Sequence, residues 1–139
     1  MFIITNYINK VTKFLKTVFK VLLLFLIIIS LYPGSLLGFF LYGDLGKQPN
    51  IIENPFGTTI NHFAYYTFLS LLGFFIYMKS KNFTNLFYLM FFLSIMLEVL
   101  HLFVPKRSFQ LEDLLANILG VMVAYFVVKI YLLFKSKGT

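Results

Sequence analysis

Seven side chains in or beside the apolar stretches of this sequence are able to do chemistry: His62, Tyr66, Glu98, His101, Arg107, Asp113 and Asn117. Glu98 and His101 are three apart, so on a helix they share a face. Glu-x-x-His is a helical metal-ligand spacing, and His62 with Asp113 would complete a two-His, two-carboxylate set suited to zinc or iron. His62 and Tyr66 share a face in the same way. Asp113, Asn117, Gly120 and Ala124 form a polar-then-small stripe of the kind that points into a helical bundle. Arg107 offers a guanidinium, the group best shaped to clamp a phosphate or carboxylate in a fork. The one nearby serine, Ser108, is a lone hydroxyl of the sort that usually sits in a loop.

These groups must be positioned by helices that lie in a bilayer. Of the 139 residues, 60% are hydrophobic and 12% charged, whereas soluble domains carry roughly 25% charged residues. Four apolar runs approach the ~20 residues that a bilayer core requires, at about Val21–Tyr42, Ile60–Met78, Leu86–Val104 and Leu114–Phe134. The fold class expected is all-α: an integral membrane protein with four transmembrane helices (residues 21–139), preceded by an interfacial amphipathic helix over residues 1–20. In that leader Ile4, Ile8, Val11, Leu15 and Val18 recur at helical spacing opposite Lys13, Lys16 and Lys20, a pattern that lies against anionic head groups. The first run exceeds the ~7–15 residues of a signal-peptide core and so reads as an uncleaved span. Gly34 and Gly38, just after Pro33, give the G-x-x-x-G spacing of a kinked helix packed closely on a neighbour.

The net charge of +7 suits a membrane surface, and no signature of nucleic-acid binding accompanies it. The absence of cysteine excludes disulfides and thiolate chemistry. Lys10, Lys13, Lys16, Lys20, Lys79, Lys81, Lys135 and Lys137 fall on one side of the spans; Lys47, Lys106 and Arg107 fall on the other. Because cationic loops stay inside, both termini are expected in the cytoplasm of a multi-pass cell-membrane protein. Lys129, inside the fourth run, is expected to snorkel. Asn82-Phe83-Thr84 matches a glycosylation acceptor but lies in a cytoplasmic loop on this topology. The loop Gly43 to Thr59, with Asp44 and Glu53, reads as a solvated outer connection.

With this topology His62, Glu98, His101, Arg107, Asp113 and Asn117 converge near the outer interface. Glu98 falls about six residues inside its run, ~9 Å deep, where an unpaired acid costs ~2.5–3.5 kcal/mol near mid-bilayer. It therefore needs a partner or a proton. The segment from Pro105 to Gly120, with Arg107, Asp113 and Asn117-x-x-Gly120, resembles the signature of VanZ-like membrane proteins, a family linked to teicoplanin resistance. The family's helix ending in Glu-x-x-Gln corresponds to Glu98-Val99-Leu100-His101, with His101 departing from Gln. Its His-x-x-x-Tyr corresponds to His62 and Tyr66, while Thr58 and Thr59 stand where an acidic and a basic residue are common. The resemblance implies a four-helix membrane fold and an envelope role, including lowered susceptibility to teicoplanin-like glycopeptides. It implies no settled reaction.

Three functions follow from these residues. The first is an outer-leaflet site for an anionic lipid head group or a lipid-linked cell-envelope precursor, with Arg107 as clamp, His62, His101 and Asn117 as hydrogen-bond partners, Asp113 orienting Arg107 and Glu98 holding His101 in one tautomer. The second is a non-catalytic membrane subunit whose polar cluster only fixes helix packing, alone, as a homo-oligomer or with a membrane partner. The third is a metal-dependent hydrolase using His62, Glu98, His101 and Asp113; it is disfavoured because Gln, the family residue at His101, is a poor zinc ligand. No cofactor is expected. Four short helices are too few for alternating access in one chain.

Overall fold

The computed structural model describes residues 2–47 and 57–137, all of whose regular structure is helical. Glu53, in the outer connection, lies outside the described residues. The helices are α1 (Phe2–Leu31), α2 (Leu36–Tyr42), α3 (Thr59–Tyr77), α4 (Phe83–Leu100) and α5 (Leu111–Lys137).

Three of them are long and apolar enough to cross a membrane: Ile4–Leu31, Phe83–Leu100 and Leu111–Ser136. The expectation of four is corrected at the second run. Over its 19 residues α3 is long enough, but Asn61, His62 and a series of tyrosines dilute its apolar character. Its position accounts for that composition. α3 packs against α1, α4 and, most extensively, α5, so much of its surface meets protein.

The separate interfacial leader is corrected as well. Residues 2 to 31 contain neither Gly nor Pro, and α1 runs through residues 20 and 21 without a break. At 1.5 Å per residue its 30 residues reach about 45 Å, well beyond the ~30 Å of a bilayer core. The helix stops where Pro33 disfavours helical backbone at the preceding residue and Gly34 adopts a φ of 84°. Ser35 then caps the short α2, its Oγ accepting from the Gly38 N–H at 3.0 Å.

Gly34 and Gly38 serve a different contact from the helix–helix packing expected of them. The chain returns after α2, and the Ser35 N–H donates to the Leu45 carbonyl at 2.7 Å. A Cβ on Gly38 would overlap the Lys47 carbonyl, and one on Gly34 would meet that of Leu45. The small residues admit a returning loop.

The third run also ends earlier than expected, at Leu100 rather than Val104. Beyond it the N–H groups of His101, Leu102, Phe103 and Val104 each bond three residues back, a tightening taper ahead of Pro105. Glu98 is thus in the last turn of α4, close to the helix end.

The tightest seam joins α3 to α5. Asp113, Ala116, Asn117, Gly120 and Ala124 of α5 are all buried, as the polar-then-small stripe requires. A Cβ on Gly120 would lie 2.8 Å from the Phe63 carbonyl oxygen and 2.9 Å from the Thr67 nitrogen, both backbone atoms of α3. At the opposite end Phe74, Phe83, Phe87 and Tyr125 form an aromatic core, with Phe87 and Tyr125 centroids 4.4 Å apart. Lys129 keeps its ammonium 5.4 Å from the Phe83 ring centre and 5.5 Å from that of Tyr125.

Gly120→Val forces the α3 and α5 backbones apart and should destabilise the protein by about 1–3 kcal/mol, the range for overpacking. Leu119→Val, at an exposed position, serves as the control. Thermal unfolding of both in detergent checks this, with a lowered midpoint expected for Gly120→Val alone.

Candidate functional site

Four helix ends and the start of α2 meet at one cavity of about 170 Å³. The C-terminal turn of α1 contributes Leu26, Ile29 and Ser30; α3 contributes His62, Tyr65 and Tyr66 from its first turns. The end of α4 brings Leu97, Glu98 and His101, Arg107 reaches in from the α4–α5 loop, and Asn117 from α5. Ser35, from the α1–α2 break, and Leu36 and Leu37, which open α2, complete the wall. Six of the seven residues singled out from sequence line this space. The seventh, Asp113, sits behind His62.

Their mutual contacts form two separate networks. In the first, the Thr59 hydroxyl donates to Asp113 Oδ1 at 2.7 Å, His62 Nε2 lies 3.5 Å from Asp113 Oδ2, and His62 Nδ1 lies 3.2 Å from Asn117 Oδ1. Asp113 is 4% exposed and Asn117 1%, so each needs partners within the protein. Asp113 also stands in the first turn of α5, where the helix dipole favours a negative charge.

In the second network, His101 Nδ1 faces Glu98 Oε1 at 3.2 Å and its Nε2 faces the Ser30 carbonyl at 3.1 Å. A carbonyl can only accept, so Nε2 carries a proton. That leaves Nδ1 and Glu98 to share one proton across their contact. Glu98 Oε1 also accepts from the Gln110 N–H at 3.1 Å, tying the end of α4 to the entry of α5.

Arg107 follows Lys106, which holds a left-handed φ of 61°, a conformation that non-glycine residues adopt at a cost of ~1–2 kcal/mol. The guanidinium Nη2 donates to the Ile29 carbonyl at 3.0 Å. In an uninterrupted helix that carbonyl would accept from the N–H four residues on, which is position 33. Proline has no N–H. Pro33 therefore leaves Ile29 with an acceptor that only the 3.4 Å turn bond from Tyr32 otherwise uses, at the negative end of the α1 dipole. Burial pushes the Arg107 pKa below its ordinary value, while Glu98 and Asp113 pull it back up; it stays cationic at neutral pH.

The geometry revises the expected partner of Asp113 and sorts the remaining candidates. Among the described contacts no hydrogen bond or ion pair joins Asp113 to Arg107; Asp113 holds His62 and Thr59 instead. The four-residue metal set divides between the two networks, and among the described residues no three His, Asp or Glu side chains converge on a metal position. Ser108 is exposed and absent from the cavity wall. Thr59, which stands where a charged residue is common in the resembling family, proves to be the hydroxyl that fixes Asp113. The Ile29 and Ser30 carbonyls were not singled out, because backbone groups leave no mark in residue identity. The one available signal was Pro33, which frees the acceptor four residues before it.

His101 bridges Glu98 and the Ser30 carbonyl through its two ring nitrogens. A glutamine amide has two N–H donors on one nitrogen, so His101→Gln should fold and keep its helicity, with thermal stability within about 1 kcal/mol of wild type. His101→Leu removes the ring from between Glu98 and the Ser30 carbonyl, leaving Glu98 only the Gln110 N–H, and should lose about 1–3 kcal/mol. Circular dichroism melts of the two variants distinguish these outcomes.

A family model described as VanZ/LLP1 matches residues 2–134, nearly the whole chain. No curated protein and no solved structure is significantly similar to it.

Proposed function

The chain belongs to the VanZ/LLP1 family, and from the geometry of its cavity we propose that it binds the phosphate of a lipid head group or of a lipid-linked cell-envelope precursor. The observation that carries this reading is Arg107: a cation on the wall of a 170 Å³ cavity whose buried Nε has no hydrogen-bond partner. An oriented guanidinium with a spare donor suits a phosphate oxygen. His62 and Asn117 stand on the same wall, and Leu26, Leu36, Leu37 and Leu97 supply an apolar flank for the lipid part.

The cavity faces the outer leaflet in this proposal. Lys16 packs over Tyr77 and Lys129 over Phe83 at the far end of the bundle, with Lys79 and Lys81 in the α3–α4 turn between those rings. Cationic segments are retained in the cytoplasm, so the lysine-rich end is assigned there; with the 19-residue α3 crossing inside the bundle beside the three apolar helices, both termini fall on that side. Changed susceptibility to teicoplanin-like glycopeptides then follows as a side effect of altered wall assembly.

A second reading is favoured by a specific observation. His62, His101, Asp113 and Asn117 already have partners within the protein, which is what a network fixing helix positions needs. The two readings divide the residues between them: those four hold the frame, and Arg107 addresses the ligand.

Native mass spectrometry of the gently solubilised protein tests the division. Wild type should retain a phosphorylated lipid; Arg107→Ala should retain about a tenth as much or less with its helicity unchanged, and Lys106→Ala, at an exposed position, should match wild type. If all three proteins emerge without lipid, the binding reading fails and the network reading stands.

A further inference from the structure

After the two networks are satisfied, two buried polar atoms of opposite character remain on the cavity-lining residues. Glu98 is 1% exposed. Its Oε1 is engaged by Gln110 and His101, while Oε2 has no hydrogen-bond partner. Arg107 spends Nη2 on the Ile29 carbonyl and leaves Nε without one. A buried carboxylate oxygen without a donor is costly in a poorly polar setting, as is a guanidinium N–H without an acceptor.

The pair sets a chemical requirement on what enters. A purely anionic group answers Arg107 but brings negative charge toward the unpartnered oxygen of Glu98. A neutral hydroxyl answers Glu98 weakly and does little for the guanidinium. A group with an anionic acceptor and a cationic donor a few bonds apart answers both at once through charge-assisted hydrogen bonds. Tyr65 and Tyr66 line the same cavity, and aromatic faces attract ammonium groups.

We propose that the cavity selects a phospho-ammonium head group, its phosphate oxygen accepting from Arg107 Nε and its primary ammonium donating to Glu98 Oε2. This rests on the phosphate-binding reading above and adds the donor half of the ligand. A primary ammonium has N–H groups for Glu98, whereas a trimethylated one has none. The site therefore discriminates by hydrogen bonding as well as by charge.

The test is titration of the full-length protein in detergent with three short-chain phospholipids, read by native mass spectrometry: phosphatidylethanolamine, phosphatidylglycerol and phosphatidylcholine. Phosphatidylethanolamine should bind about tenfold more tightly than either of the others, the worth of one charge-assisted hydrogen bond. Glu98→Gln should bring the three affinities to within about twofold of one another, and Arg107→Ala should weaken all three. Should Glu98→Gln fail to fold, the wild-type ranking alone decides the matter. Equal or tighter binding of phosphatidylglycerol, still dependent on Arg107, overturns the ammonium assignment and leaves the phosphate reading in place; failure of all three lipids to bind overturns both. Free O-phosphoethanolamine separates the sources. Displacement of the lipid at similar concentration identifies the head group alone as sufficient, and no displacement identifies the lipid; either result supports the same chemistry.

Discussion

Two carboxylates, two imidazoles and a guanidinium are drawn into one end of an apolar helical bundle, and each must find a partner there because water is scarce. That requirement organises the site. α1 meets part of it with backbone rather than side chain: interrupted by Pro33, it ends in carbonyls that accept from Arg107 and His101. The entry to α5 meets another part through the Gln110 N–H that Glu98 accepts. Helix ends carry unsatisfied donors and acceptors by construction. The end of α1 and the entry of α5 bring such groups to the buried side chains, so that backbone and side chain answer each other there.

The polar end could not close without the small residues below it. Gly120 lets α5 approach the α3 backbone so closely that a methyl group would collide, and this approach brings Asp113 and Asn117 within reach of Thr59 and His62. Interhelical hydrogen bonds in membrane proteins average only ~0.6 kcal/mol. The network's main effect is therefore to select one helix register, while apolar and aromatic packing at the far end supplies most of the cohesion. A frame held this way can leave Glu98 Oε2 and Arg107 Nε without partners, since neither atom is needed to keep the helices in place.

Much of the site was legible in sequence. The three-residue spacing of Glu98 and His101 put them in contact, and the stripe from Asp113 to Ala124 did turn inward. What misled was treating each apolar run as an independent span. α3 is less apolar than a lipid-exposed span because its neighbours cover much of it, and hydropathy of a segment does not register its neighbours. The glycines after Pro33 carried a spacing that on a continuous helix means helix packing, yet the helix had already ended, so they admit a loop. The pairing of Asp113 with His62 and Thr59 rather than Arg107 depends on which side chains share a level between two helices, and sequence distance does not encode that.

The sequence by itself determined that the chain is all-helical and built largely for a membrane, since composition and apolar run length express the transfer energetics of each segment. It also determined which residues are too polar to lie there without partners. Only the tertiary structure decided who those partners are. Pairing depends on the relative rotation and height of helices far apart in the chain, and on backbone groups such as the Ile29 and Ser30 carbonyls that every residue possesses and only a particular break in a helix makes available.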